Sequence, residues 1–458
     1  MVLRNCFTAF LASLLMCACA TAQDAPQPFT AETLLSPVID SYSPKYDDVQ
    51  AALDSLRSGN VEQARQSLDA AYSKNPDLPP PNTMLAQIMF QARKPDAGKQ
   101  ALNEATRTNP DDPGAFIYLG DLSLQERQLG VAESMYTKGV ELCNKYSANT
   151  KRRSRLLAKG YGGLALLKES SKDWAGAQDL LEKVIQNDPD NAVAMTRLGR
   201  VVFLGAKNEE DEKKAYKIFT DVYQLDPEHT ARHEINMALL YEQGGRSARA
   251  ESLMNLAIKR DGKNAKTRLA VTKWAIDAGK LDMASENVQA ADAIEPDSLE
   301  VLVYKGLIDR FKGNYAAGEA AFREAHFRSP KHLGAMTQLA LCLTSQDDDQ
   351  KKQLGLQFAD LCVRVYPDLK QSSGRESAVV LAWCLAQVGQ SNAAAQAVAR
   401  VVREGSISAD SAYYAAQIIF DAGQSTAAER ILESALKNER AFPNRSKAEQ
   451  LMNRIKQG

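Results

Sequence analysis

LEVLVYKGLIDRFKGNYAAGEAAFREAHFRSP, residues 299–330, is the stretch from which the fold can be read. Two short amphipathic segments are joined at Gly313-Asn314 and closed by Pro330. Apolar or small residues fall at Leu302, Gly306 and Leu307 in the first segment, and at Tyr315, Gly318, Phe322 and Ala325 in the second. That i, i+3, i+4, i+7 rhythm places them on one face of a helix. Gly306 and Gly318 carry no side chain where two helix backbones have to come close. A pair this small cannot bury its own apolar face, so it needs neighbours of the same kind.

The rest of the chain supplies them. The small residue that opens each second helix recurs as Ala64, Gly98, Ala132, Ala177, Ala215, Ala250, Ala284, Gly318, Gly355, Ala394 and Ala428, at intervals of 34 to 45 residues. Four positions later stands a mostly apolar residue, as in Leu68, Leu102, Tyr136, Leu181, Phe219 and Leu432. Proline closes many units, among them Pro76, Pro110, Pro189, Pro227, Pro296, Pro330 and Pro367. The first-helix half is visible as Phe116-x2-Leu119-Gly120, Met195-x2-Leu198-Gly199 and Met336-x2-Leu339-Ala340.

This pattern resembles that of the tetratricopeptide repeat (TPR) family, W-x2-L-G-x2-Y…A-x3-F…P. The likeness covers roughly residues 45 to 440. It implies an all-α, right-handed superhelical solenoid of about eleven helix-turn-helix repeats with a C-terminal capping helix. The sequence departs from the pattern in two ways: the unit ending near Cys143 and the last two units lack the closing proline, and several intervals run long. The excess is expected to form loops at 145–157, 205–212 and 345–352.

Residues 1–22 have another character. Arg4, an apolar run over 7–16 and Ala20-Thr21-Ala22 before Gln23 read as a secretory signal peptide with its cleavage site, too short to span a bilayer. Export to the periplasm or cell envelope follows. Cys17 and Cys19 leave open an outer-membrane lipoprotein with its lipid on Cys19, which would be the chain's one tie to a membrane. Residues 23–44 read as a flexible lead-in whose Phe29, Leu34, Leu35, Val38 and Ile39 could dock on the first repeat. Repeats 1–3 then occupy 45–144 and repeats 4–11 occupy 158–440. Between them, 145–157 is a basic linker with Lys145, Lys151, Arg152, Arg153 and Arg155. It is either a docking patch for an acidic partner or anionic lipid headgroups, or an early start of the next helix. In 445–458, the stripe Ala448, Leu451, Met452 and Ile455 marks a capping helix, so the fold is expected to end with the chain.

The composition excludes some functions. The 56 basic and 57 acidic residues give a net charge of −1, without the basic surplus of a nucleic-acid binder. His229 and His233 stand at i, i+4, but the HExxH order and a third ligand are missing, so surface histidines are expected there. The same reading applies to His326 and His332. Gly160-Tyr161-Gly162-Gly163 lacks the GK[ST] of a phosphate loop and suits close helix packing better. Asp347-Asp348-Asp349 lacks the spaced ligands of a calcium loop and reads as solvated. Cys143, Cys342, Cys362 and Cys384 match no metal spacing and read as buried thiols; a Cys342–Cys362 or Cys342–Cys384 disulfide is the alternative. No catalytic residue, cofactor or metal site is expected.

The resemblance implies that the first helices line a concave wall. The residues placed there are Thr83, Gln87, Phe90, Asp121, Arg200, Phe203, Arg232, Lys266, Lys273, Arg310, Phe311, Trp383, Tyr413 and Phe420. The centre of that wall is basic and its C-terminal part aromatic, which suits proteins or peptides with acidic and apolar residues. Alternatively, the basic residues balance acids such as Glu242 and Asp277 on the same wall. The reading is a non-catalytic protein-binding scaffold of the bacterial cell envelope, serving assembly or secretion of envelope complexes. The alternative is a polysaccharide-binding or export accessory in which Trp383, Tyr413 and Phe420 stack on sugars.

Overall fold

The computed structural model describes residues 29–296, 298–437 and 440–457. The signal peptide and Cys19 lie outside these residues. Among the described residues there is no strand, and no helix is long and apolar enough to cross a membrane. The chain divides into two units, one ending at His233 and the other beginning at Glu234.

The N-terminal unit holds a short helix, Ala31–Leu35, and five hairpins. Repeat 1 pairs Asp47–Arg57 with Val61–Lys74, repeat 2 Pro81–Gln91 with Pro95–Thr108, and repeat 3 Pro113–Gln125 with Leu129–Lys145. Repeat 4 pairs Thr150–Ser170 with Trp174–Asn187, and repeat 5 Ala192–Leu204 with Glu209–Leu225. The C-terminal unit holds repeat 6 (His233–Gln243, whose first residue falls at the boundary, and Ser247–Asp261) and repeat 7 (Ala265–Asp277, Leu281–Ile294). Repeats 8 (Leu299–Phe311, Tyr315–Arg328) and 9 (Leu333–Thr344, Asp349–Val365) come next. Repeats 10 (Ser372–Gln387, Ser391–Glu404) and 11 (Ala409–Asp421, Ser425–Leu436) lead to a last helix, Arg445–Gln457.

Several hairpins are built on a small-against-large contact. A Cβ on Gly306 would lie 2.7 Å from the Phe322 ring, and one on Gly318 would lie 3.2 Å from the Gly306 carbonyl oxygen. The same fit recurs at Gly120 against Tyr136 and at Gly199 against Phe219. Tyr136, Phe219 and Phe322 are accordingly among the most deeply buried side chains. The turn between the two helices needs a left-handed residue, supplied by Gly313 at φ +77°. Arg93, Arg127 and Lys172 take that conformation at φ 58–60° without being glycine.

The long intervals are not loops throughout. Asn149, Asn208 and Asp348 each accept backbone N–H groups as N-caps and start helices at Thr150, Glu209 and Asp349. The expected loops therefore shrink to short connections, and most of the extra residues are helix. A helical residue satisfies its own backbone, whereas a long loop leaves that to solvent. The basic stretch 145–157 is thus largely the first turns of repeat 4. The lead-in, from Phe29 onward, is packed rather than flexible: Leu34, Leu35, Val38 and Ile39 are buried with repeats 1 and 2.

Candidate functional site

A cavity of about 560 Å3 lies among the first helices of the N-terminal unit. Its walls are first-helix residues: Thr83 and Gln87 of repeat 2, Tyr118 of repeat 3, and Arg152, Arg155, Leu156 and Lys159 of repeat 4. Pro37 and Val38 of the lead-in roof it, and Asp188 and Asn191 close the far side.

The floor is a buried ion pair. Arg152 Nη2 donates to Asp112 Oδ1 at 2.6 Å, with the two side chains 5% and 3% exposed. Thr83 Oγ1 donates to Asp112 Oδ2 at 2.9 Å, and the same oxygen accepts the Ala115 N–H as a helix cap. Burial opposes the charge on Arg152 and Asp112 outweighs it, so the guanidinium is held more firmly protonated than usual. A Cβ on Gly114 would lie 2.6 Å from Arg152 Nη2, so this pairing needs a glycine there. The roof is tied down from the same helix. The Asn149 amide donates to the Val38 carbonyl at 2.9 Å, and Lys151 donates to the Ile39 carbonyl and pairs with Asp40.

Two features of the wall are unspent. Gln87 donates its amide to the Tyr118 hydroxyl at 2.6 Å, but its Oε1 is buried without a hydrogen-bond partner among the described residues. Burial pushes the Tyr118 phenol up to about 12, so it stays neutral. Lys159 is paired with Asp121 at 2.8 Å, and Asp121 also accepts from Tyr136. Arg155 is exposed and has no ion pair among the described residues. Of the expected wall, Thr83 and Gln87 line this cavity, and Asp121 adjoins it through Lys159. Phe90 is half-buried in the same unit, where a Cβ on Gly98 would meet its ring. The basic run 145–157 supplied Arg152 and Arg155, a contribution whose partner, Asp112, stands 40 residues earlier.

The other wall residues of this unit are largely balanced. Arg200 lies 4.0 Å from Glu169, Phe203 is 6% exposed, and Arg232 stacks on the Tyr223 ring at 5.1 Å. His229 and His233 do not share a helix face, since His229 precedes the helix that His233 opens. Nor are both at the surface: His229 is 81% exposed beside Asp226, while His233 is buried with its ring edge-on to Tyr216.

In the C-terminal unit, Lys266 and Lys273 are exposed, with Lys273 3.5 Å from Asp277. Arg310 faces inward but is 3% exposed and fully engaged at both terminal nitrogens, with Gln338, Asp410 and the Tyr414 hydroxyl, each at 2.6 Å. Phe311 is half-buried. The three aromatics expected to stack on sugars are packed on protein. Trp383 lies 4.6 Å from Tyr414 and 6.4 Å from Tyr413, Tyr413 is 7% exposed, and Arg454 covers Phe420 at 5.1 Å. His326 is not a simple surface residue, its ring standing edge-on to Phe358 at 5.3 Å. His332 is a helix cap that accepts the Ala335 N–H. Cys143, Cys342, Cys362 and Cys384 are all buried free thiols, as expected, and neither alternative disulfide forms. Among the described residues, no three His, Cys, Asp or Glu side chains are grouped so as to hold a metal ion.

The architecture and inner cavity define a helical-hairpin solenoid. Residues 55–116, from the end of the first hairpin's first helix into the third hairpin, match the family model described as tetratricopeptide repeat. Hairpins of the same construction as this matched stretch fill both units, so the fold is that of a tetratricopeptide-repeat solenoid. Comparison with curated protein sequences gives no match. Among solved structures, yeast Tom70 is similar at 14% identity and a TM-score of 0.41, over 90% of this chain and 95% of that one. A tetratricopeptide repeat protein from Parabacteroides merdae is similar at 13% identity and a TM-score of 0.36, over 66% and 99% of the two chains. PilW, a type IV pilus biogenesis factor, is similar at 20% identity and a TM-score of 0.35, over 45% and 91%. At these values the likenesses say nothing of what this chain binds.

Proposed function

We propose that the chain is a non-catalytic scaffold that holds peptide segments or partner proteins, and that the N-terminal cavity grips acidic ones. The observation that carries this is the pair of unspent groups on one wall: a buried carbonyl oxygen on Gln87 and an unpaired guanidinium on Arg155. An extended peptide supplies both complements, a backbone N–H for Gln87 and a carboxylate for Arg155. A cavity of about 560 Å3 has the size of a site for a small ligand or a few residues. The signal peptide read in the sequence supports a role in the bacterial cell envelope, in assembly or secretion of its complexes. Lipid on Cys19 is the route by which it would be anchored there.

The test is fluorescence anisotropy with a labelled Glu-rich peptide against its Lys-rich and neutral counterparts. The Glu-rich peptide binds tightest, more weakly as salt rises, and at least about tenfold more weakly to Arg155→Glu. Equal binding of the three peptides, or an Arg155→Glu variant that binds as wild type does, refutes the reading.

A further inference from the structure

In the C-terminal unit, a face formed by first helices of repeats 7 and 11 is occupied by the chain itself. Residues 440–445 lead from repeat 11 to the last helix, and they are held as a bound peptide is held. The Ala441 N–H donates to the Asp277 carbonyl, at the end of the first helix of repeat 7, at 2.8 Å. Phe442 is 7% exposed and belongs to the same apolar cluster as Tyr413, Tyr414 and Leu451. The Asn444 amide donates to Asp410 Oδ1 and to the Tyr414 hydroxyl, each at 2.9 Å. Arg310 from repeat 8, 100 residues or more away in sequence, donates to the other Asp410 oxygen, Oδ2, and to the same Tyr414 hydroxyl.

The fit is incomplete. Arg310 Nε and Trp383 Nε1 are buried donors without a hydrogen-bond partner among the described residues. Both side chains flank Tyr414, with Arg310 5.8 Å and Trp383 4.6 Å from its ring. A buried donor left unmet weakens the folded arrangement relative to one that meets it. An occupant with an additional acceptor would therefore hold this face better than residues 440–445 do.

We infer that this face is a second peptide-binding surface, kept shut by residues 440–445. Its ligand is an extended protein segment with an aromatic side chain for the Phe442 pocket, a carboxamide two residues later, and a carbonyl or carboxylate oxygen for Arg310. The argument is independent of the N-terminal cavity, so an Arg155→Glu background leaves it unchanged.

The probe is a labelled peptide of residues 437–457 added to the full chain. Wild type binds it weakly, because its own segment is in place. Phe442→Ala/Asn444→Ala loosens that segment and binds the peptide at least tenfold more tightly, and adding Arg310→Met removes the gain. In parallel, hydrogen exchange of the wild-type Ala441 amide is faster than that of the repeat 8 helices, and speeds up further when the peptide is in excess, because the peptide displaces the segment that holds the Ala441 N–H on the Asp277 carbonyl. The inference is overturned if the loosened variant keeps its helical content yet binds no better than wild type. It is equally overturned if the Ala441 amide exchanges only when the whole unit unfolds, and that second measurement decides alone should the variant fail to fold.

Discussion

Replacing Asp112 with alanine removes the one carboxylate on which the floor of the N-terminal cavity rests. Arg152 would stay buried at 5% side-chain exposure with no counter-charge, which costs about 3–5 kcal/mol for a pair broken from one side. The Ala115 N–H also loses its cap, at about 1 kcal/mol. The sum is roughly 4–6 kcal/mol, against about 0–1 kcal/mol for an exposed pair. The assay is urea unfolding followed by far-UV circular dichroism on wild type, Asp112→Ala, Arg152→Met and Asp112→Leu/Arg152→Met. Removing both charges together leaves no stranded ion, so the double variant is expected to lie within about 2 kcal/mol of wild type. A cost below about 1 kcal/mol for Asp112→Ala, or single variants whose effects simply add, refutes the reasoning.

Three other outcomes are expected. Gly306→Ala puts a Cβ 2.7 Å from the Phe322 ring and destabilises by about 1–3 kcal/mol; Phe322→Leu in the same chain restores part of the loss, as urea midpoints will show. His332 accepts the Ala335 N–H through Nδ1, and burial holds its pKa below the usual histidine value. Its contribution is present above the unfolded value, about 6.5, and is lost as pH falls through the folded one, with His326 shifted in the same direction by burial. The urea midpoint therefore drops between about pH 7 and pH 5, and His332→Asn, which can still cap, flattens part of that slope; identical slopes contradict the reading. Burial pushes the thiols of Cys143, Cys342, Cys362 and Cys384 up to about 12. Iodoacetamide at neutral pH is thus expected to spare them in the native protein and modify them in urea, with peptide mapping as the readout.

The hairpins were legible because their determinants are local. Gly306 and Phe322 stand 16 residues apart, and the fit of one to the other recurs at Gly120 with Tyr136 and at Gly199 with Phe219. The early helix starts at Asn208 and Asp348 were legible too, since each is a good N-cap residue before helix-forming residues. Counting the long intervals as loops passed over that signal. Thr83 and Gln87 were picked out by their register alone, and both line the cavity. What they do there was not legible, because it depends on Arg152, which sits in a basic run and finds its acid 40 residues upstream. Arg310 was still less legible: its place in a first helix follows from the repeat, but its partners Asp410 and Tyr414 are brought to it only by the stacking of two intervening hairpins. His233 looked like a surface residue because its neighbour Tyr216 belongs to the preceding hairpin.

The central claim is that the inner wall of the N-terminal unit, and not its outer helices, takes hold of a peptide. A Glu-rich peptide carrying a benzophenone photocrosslinker, irradiated with the full chain and mapped by mass spectrometry, tests it most directly. The account predicts crosslinks at 79–87, around Tyr118 and at 152–159, competed away by unlabelled peptide and lost in Arg155→Glu. Crosslinks confined to the outer helices, such as Pro95–Thr108 and Leu129–Lys145, would contradict it.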